Sequence, residues 1–253
     1  MNKTLLQTVS DYSRYRVVET YYDGRPARVL YGDKDSPQSG VALDDDPALL
    51  FDYNQRFIEI VASVRPHRVL LIGGGAFTLP TAIIERFSSV KVDVVELDPA
   101  LPGIARDFFN LPDDPRLTIM TQDGRAFINQ DVPRVYDLVI IDAFSEYHIP
   151  HSLLSVNALQ RYKRLLKPGG IIALNYIAHY QARRPTLSHD LVRTFEAVFP
   201  YISLIPADAH YPESAEQNVI LVAGQFEPEH LDYVQSRPVE LIPRSGGTII
   251  IDD

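Results

Sequence analysis

The chain has 253 residues, 45% hydrophobic and 23% charged, which fits one large globular domain and excludes disorder as the main state. Its net charge of −9 argues against nucleic acid, whose phosphates need clustered Lys and Arg; it would attract a cationic small molecule, although on charge alone the ordinary acidity of many soluble proteins accounts for it better. There are no cysteines, so disulfides, thiolate metal sites and thiol catalysis are excluded. No apolar run is long enough to cross a membrane and the polar N-terminus is unlike a signal peptide, so a cytoplasmic protein with no membrane partner is expected.

In chain order, residues 14–45 read as short strands. RYRVVETYY and RPARVLYG flank Asp23-Gly24, a pair that supplies the positive φ angles of a tight hairpin turn. A looser stretch, DKDSPQSG, follows. A helix is expected next, with Asp46 as N-cap, Pro47 at its first position, and Leu50, Tyr53, Phe57, Ile60 and Val64 on one face. Arg65-Pro66 ends it, since a residue before proline leaves the helical region.

The period then changes. HRVLLIG, VKVDVVEL, LTIMTQ, YDLVIIDAF and IIALNYI read as strands, alternating with helices over PTAIIERF, PALPGIARDFFN, HSLLSVNALQRYKRLL and SHDLVRTFEAVF. KPGG is the stop signal of the third of these helices. YISLIP and QNVILVAG are two final strands without a helix between them, so the last is expected to insert antiparallel. The predicted architecture is an α/β fold: a doubly wound, seven-stranded, mostly parallel sheet over residues 66–225. It is preceded by a small N-terminal β unit (1–45) and a linking helix (46–65). The polar tail, 226–253, is expected to run over the surface or towards a partner subunit.

Ligands in such sheets bind beyond the carboxyl ends of the strands. The first strand ends in Gly73-Gly74-Gly75, which lets the backbone turn tightly and approach a ligand, although Thr78 replaces the third glycine of a dinucleotide fingerprint. The second ends in Glu96-Leu97-Asp98. Glu96, about twenty residues beyond the turn, is placed to accept ribose hydroxyls, while Asp98 suits a helix cap. The third ends in Asp123-Gly124, where Asp123 either accepts from an adenine amino group or caps a helix. The fourth ends at Asp142, facing the reacting end of a bound ligand. Glu146, Tyr147, His148 and His151 follow on a loop, and their spacing matches no compact zinc motif, so no metal is expected.

LLIGGGAFTLP, DVVELDP, TQDGRAF, YDLVIIDAF and LLKPGG together resemble the S-adenosylmethionine-dependent methyltransferase fold, with its Rossmann-like sheet. Within it they are most similar to the spermidine synthase family, the polyamine aminopropyltransferases, and the resemblance spans roughly residues 14–225. It implies a sulfonium nucleoside as co-substrate, S-adenosylmethionine or its decarboxylated form, and a polyamine-type amine as acceptor. Gly73, Gly74 and Gly75 would lie under the nucleoside, Glu96 would hold the ribose, and Asp123 with Gly124 would meet the adenine. Gln38 would reach in from the N-terminal unit, and Asp142 would sit near the sulfonium and the amine. The family is commonly dimeric, which makes a homodimer a possible assembly.

This sequence departs from the family pattern at three points. Ala76 stands where the family carries an Asp that pairs with the amine of the decarboxylated donor, which weakens discrimination against the ordinary one. Ser145 replaces a second family Asp, leaving the adjacent Glu146 as the substitute base. Phe51-Asp52-Tyr53 replaces the family's Tyr-His-Glu, with Asp52, Tyr53 and Tyr147 as candidates on the acceptor side. Three readings follow: an aminopropyltransferase-like enzyme acting on a polyamine, a methyltransferase using ordinary S-adenosylmethionine, and a non-catalytic nucleoside-binding homologue. A nicotinamide dehydrogenase ranks below them.

Overall fold

The computed structural model describes residues 2–45, 49–131, 133, 135–144, 149–179, 187–208, 216–225, 237–238 and 248–252. The hairpin forms as strands β2 (Arg14–Tyr22) and β3 (Arg25–Tyr31), with Asp23 and Gly24 at φ +48° and +77°. A two-residue loop of that geometry matches the strand twist. β1 (Lys3–Val9) and β4 (Pro37–Ala42) flank it in an antiparallel sheet ordered β1-β2-β3-β4. β1 lies outside the strands expected from sequence, because a register shift between Thr4 and Leu6 breaks its alternation. The stretch read as loose is partly strand: Pro37 opens β4 on the sheet edge, where proline's missing N–H is tolerated.

Helix α1 is shorter than expected. It runs from Asp52 to Val64, with Phe51 extended before it (φ −109°, ψ 129°). The expected cap at Asp46 and Pro47 lies outside the described residues. The helix ends at Arg65, left-handed at φ +50° ahead of Pro66. Its buried face carries Asn54, Phe57, Ile58, Ile60 and Val61, while Leu50 is buried from outside the helix.

The second sheet contains β5 (Arg68–Ile72), β6 (Lys91–Glu96), β7 (Leu117–Thr121), β8 (Tyr136–Ile141), β9 (Leu166–His179), β10 (Tyr201–Pro206), β11 (Glu216–Gly224) and the two-residue β12 (Arg237–Pro238). Their order is β12-β10-β11-β9-β8-β5-β6-β7. β5 to β9 pair in parallel, and β11 inserts antiparallel between β9 and β10. The seven expected strands are present, with β12 added at the edge. Helices α2 (Thr78–Arg86), α3 (Leu101–Phe108), α4 (Gly124–Ile128), α5 (Val156–Leu165) and α6 (Leu187–Glu196) connect them. KPGG ends α5 but is not a loop: the chain enters β9 directly, and a register shift between Tyr136 and Leu138 absorbs it, with Gly169 at φ +82°.

β5 alternates between two cores. Val69 and Leu71 pack with α1, α2 and α3, whereas Leu70 and Ile72 pack with α4, α5 and α6. The N-terminal sheet joins the first core through Tyr15, Val17 and Leu30. The strand order turns back at β5, which lies between β8 and β6, the switch point beyond whose carboxyl ends ligands bind in such sheets. The described end of the tail runs along α6 to the start of α5: the Thr248 and Ile250 N–H groups donate to Asp190 and Thr194, the Val156 N–H donates to the Ile250 carbonyl, and Arg125 of α4 forks onto Asp252 at 2.7 and 2.9 Å.

Candidate functional site

Beyond β5 the chain turns on Gly73-Gly74-Gly75. Gly73 has φ +97°, and a Cβ there would run into the Asp142 carbonyl oxygen. Gly75 has φ +52°, and a Cβ would stand 2.6 Å from Ser39 Oγ. Only glycine serves both conformation and clearance. Five successive amides of this turn donate to protein oxygens. Gly73 N–H donates to the Val95 carbonyl, Gly74 and Gly75 N–H to Glu96 Oε2 (2.6 and 3.3 Å), Ala76 N–H to Ser39 Oγ (3.1 Å) and Phe77 N–H to the Gly74 carbonyl. A phosphate cradle requires such donors to point at the ligand; here they are engaged, which disfavours a dinucleotide.

Glu96 ends β6 and is 7% exposed. Besides the two turn amides on Oε2, its Oε1 accepts from the Asp98 N–H at 2.8 Å. Burial pushes this carboxyl above its ordinary value, against the pull of those three backbone donors. Asp98 does not cap α3 directly. Its Oδ1 accepts from the Ala100 N–H, and its Oδ2 accepts from the Tyr15 and Ser10 hydroxyls of the N-terminal sheet. Asp123 does cap a helix, one of the two roles expected for it: its Oδ1 accepts from the Ala126 N–H at 2.7 Å and starts the short α4. Gly124 keeps a close approach there, since a Cβ would lie 2.9 Å from Ile72 Cγ2.

Asp142 follows β8. Its Oδ1 accepts from Asn175 Nδ2 at 2.9 Å, and Asn175 Oδ1 accepts from Asn218 Nδ2 at 3.0 Å. Burial pushes the Asp142 carboxyl up to about 6, with the Asn175 bond pulling the other way. Tyr53 on α1 feels this carboxylate: burial and then the Asp142 charge raise its phenol well above the usual value. Its ring stacks on Phe51 at 6.0 Å and meets Phe57 edge-on. Asp52, one residue earlier, is largely exposed; partial desolvation of its carboxyl, then the charges of Asp208 and Asp23, raise its pKa.

The structure therefore gathers Gly73, Gly74, Gly75, Glu96 and Asp142 at the carboxyl ends of β5, β6 and β8, with Tyr53 nearby on α1. Gln38 lies at the irregular end of β4, where its amide packs on Gly32, and its neighbour Ser39 accepts the Ala76 N–H of the turn. Glu146, Tyr147 and His148 lie outside the described residues. No group of three or more His, Cys, Asp or Glu placed to hold a metal occurs among the described residues, nor is any helix there long and apolar enough to cross a membrane. Ser39, Tyr15, Asn175 and Asn218 escape sequence reading. Each acts across 33 or more residues of chain, a separation that leaves no local signal.

The family model for the spermine/spermidine synthase domain matches residues 53–223. A polyamine aminopropyltransferase of Vibrio vulnificus is 29% identical over 133 residues, covering 51% of this chain and 44% of that protein. A putrescine N-methyltransferase of Nicotiana attenuata is 28% identical over 180 residues, covering 68% and 45% respectively. The aligned segment is thus less than half the length of either relative. A solved structure of a probable spermidine synthase from Corynebacterium glutamicum shares the fold, with a TM-score of 0.82 at 20% identity over 98% of this chain and 96% of that one.

Proposed function

The chain belongs to the spermine/spermidine synthase domain family, and from that premise we propose that it transfers an aminopropyl group from decarboxylated S-adenosylmethionine to a polyamine-type amine. One observation carries this reading. A glycine turn with five engaged amides is flanked by the Glu96 and Asp142 carboxylates, an arrangement that suits an uncharged nucleoside bearing a cationic sulfonium rather than a phosphate-bearing cofactor. Glu96 holds the ribose hydroxyls with its remaining lone pairs, Asp123 and Gly124 border the adenine, and Tyr53 and Asp52 line the acceptor side.

The reaction needs an unprotonated amine aligned with the carbon next to the sulfonium. The nitrogen lone pair forms the N–C bond, the C–S pair leaves on sulfur as a neutral thioether, and the nitrogen sheds a proton to the Asp142 carboxylate. That carboxylate is ionised at neutral pH with a value near 6, close enough to serve as acceptor. Asn175 fixes one oxygen, leaving the other for the amine.

Ala76 favours a second reading, methyl transfer from ordinary S-adenosylmethionine to an amine. It is fully buried and apolar, with its N–H bound to Ser39, where the family resemblance implies an Asp that would select the decarboxylated donor. Calorimetric titration of the protein with the two donors separates the readings. Preference for the decarboxylated donor, followed by turnover with a diamine, supports aminopropyl transfer. Preference for S-adenosylmethionine moves the assignment to methyl transfer. Binding without turnover on any amine removes catalysis from both.

A further inference from the structure

The N-terminal sheet grips the proposed donor site through two sets of buried bonds. Tyr15 on β2 is 5% exposed, and its hydroxyl donates to Asp98 Oδ2 at 2.8 Å across 83 residues of chain. Ser10, in the β1–β2 turn, donates to the same oxygen. Asp98, 2% exposed, passes this constraint on, because its own N–H donates to Glu96 Oε1 while Glu96 Oε2 holds the glycine turn. Independently, Ser39 on β4 is 6% exposed and accepts the Ala76 N–H, so that β4 stands against the turn at Gly75.

A bond that only joined two sheets would not need to end on Asp98, two residues after the Glu96 carboxylate and hydrogen-bonded to it. From this convergence we infer that Tyr15 and Ser39 are positioning residues of the donor site. Tyr15, through Asp98, fixes where the Glu96 carboxylate presents its free lone pairs, and Ser39 fixes the height of the glycine turn beneath the nucleoside. This rests on the reading that the cleft binds a nucleoside donor. The N-terminal sheet is then part of the binding machinery, and its loss or displacement empties the site even though the family match begins at residue 53. Buried hydroxyl-to-carboxylate bonds are strong and directional, as such positioning requires.

Tyr15→Phe removes one oxygen and keeps the packed ring, and Ser10→Ala removes the second donor to the same carboxylate. The probes are 5′-methylthioadenosine and its 2′-deoxy analogue, titrated calorimetrically into the full chain, with the melting temperature of each variant recorded. Tyr15→Phe is expected to weaken 5′-methylthioadenosine about tenfold, with a smaller loss for Ser10→Ala. Wild type should bind the 2′-deoxy analogue more weakly, and Tyr15→Phe should bind that analogue about as well as wild type does, because the Glu96 contact is already lost. Ser39→Ala should weaken both probes alike, and Ser39→Thr should restore binding. Equal losses for both probes on Tyr15→Phe, or no loss for either, would overturn the Tyr15 assignment while leaving the donor site intact. Ser39→Ala binding as wild type would overturn the Ser39 assignment. Failure of the wild type to bind either probe would instead remove the nucleoside reading, and this inference with it.

Discussion

Asn175 Nδ2 stands 2.9 Å from Asp142 Oδ1, and Asn218 Nδ2 stands 3.0 Å from Asn175 Oδ1. The chain of amides crosses from β11 through β9 to the end of β8. With Asn218 donating to Asn175 Oδ1, the Asn175 amide is oriented so that its NH₂ meets the carboxylate. The described residues thus tether the Asp142 carboxylate through Oδ1.

The acid limb of the rate profile should report this carboxylate. As proton acceptor Asp142 must be ionised, so kcat/KM is expected to fall as pH drops below about 6. Asn175→Ala removes a bond that favours the charged form and should move that limb to higher pH. Asp142→Asn should retain donor binding in calorimetry and lose turnover by about a hundredfold or more. A limb that stays in place in Asn175→Ala would separate the limb from Asp142.

Stability gives an independent readout of the same group. A carboxyl whose folded value is about 6, against an ordinary 3.8, binds more protons folded than unfolded between those pH values. Stability therefore falls as pH rises through this window, by about 3 kcal/mol at most and less for a side chain that solvent partly reaches. Asp142→Asn should accordingly be more stable than wild type at pH 7.5. The difference in melting temperature should shrink towards pH 4, where the wild-type carboxyl is protonated. A difference independent of pH would show that burial does not penalise this charge.

The strand ends were legible because a buried parallel strand is a short apolar run whose last residue is fixed by the following turn. Gly73, Glu96, Asp123 and Asp142 all fall at such ends. Asp123 shows the limit of that logic, since strand-end position could not separate ligand acceptor from helix cap, and the side chain does cap α4. Ser39, Tyr15 and Asn175 were illegible because each acts through a partner far along the chain, and no local pattern encodes a hydroxyl or amide that pairs across sheets. Ser39 contacts the turn beside a one-residue irregularity at the end of β4, a feature of register that the local sequence does not show. The start of α1 was missed because Asp-Asp-Asp-Pro is a strong capping signal, whereas the helix begins at Asp52 after an extended Phe51.

Gly73→Ala should be among the most damaging single-methyl changes in the chain. The left-handed backbone, φ +97°, costs about 1–3 kcal/mol for a residue with a Cβ, and that Cβ also meets the Asp142 backbone. Loss of donor binding with a melting temperature lowered by several degrees is expected. Gly103→Ala, on α3 with open space around it, serves as the control and should be neutral or slightly stabilising. Similar behaviour of the two variants would contradict the close approach at Gly73.

Not all of the acidic excess serves a ligand. Asp93 is 3% exposed on β6 and accepts from Arg68 Nε and the Tyr136 hydroxyl, both at 2.8 Å, which ties β5, β6 and β8 together at the end away from the cleft. Arg68→Met leaves a buried carboxylate with one donor fewer, at an expected cost of about 2 kcal/mol. That is below the cost of breaking a fully buried pair, because the Arg68 side chain is 43% exposed. Adding Asp93→Asn removes the stranded charge and should recover part of the loss, with donor affinity unchanged in both variants. Urea unfolding of the single and double variants decides it: additive losses would mean that the two side chains are not coupled, and a change in donor affinity would place Asp93 in the machinery of the site.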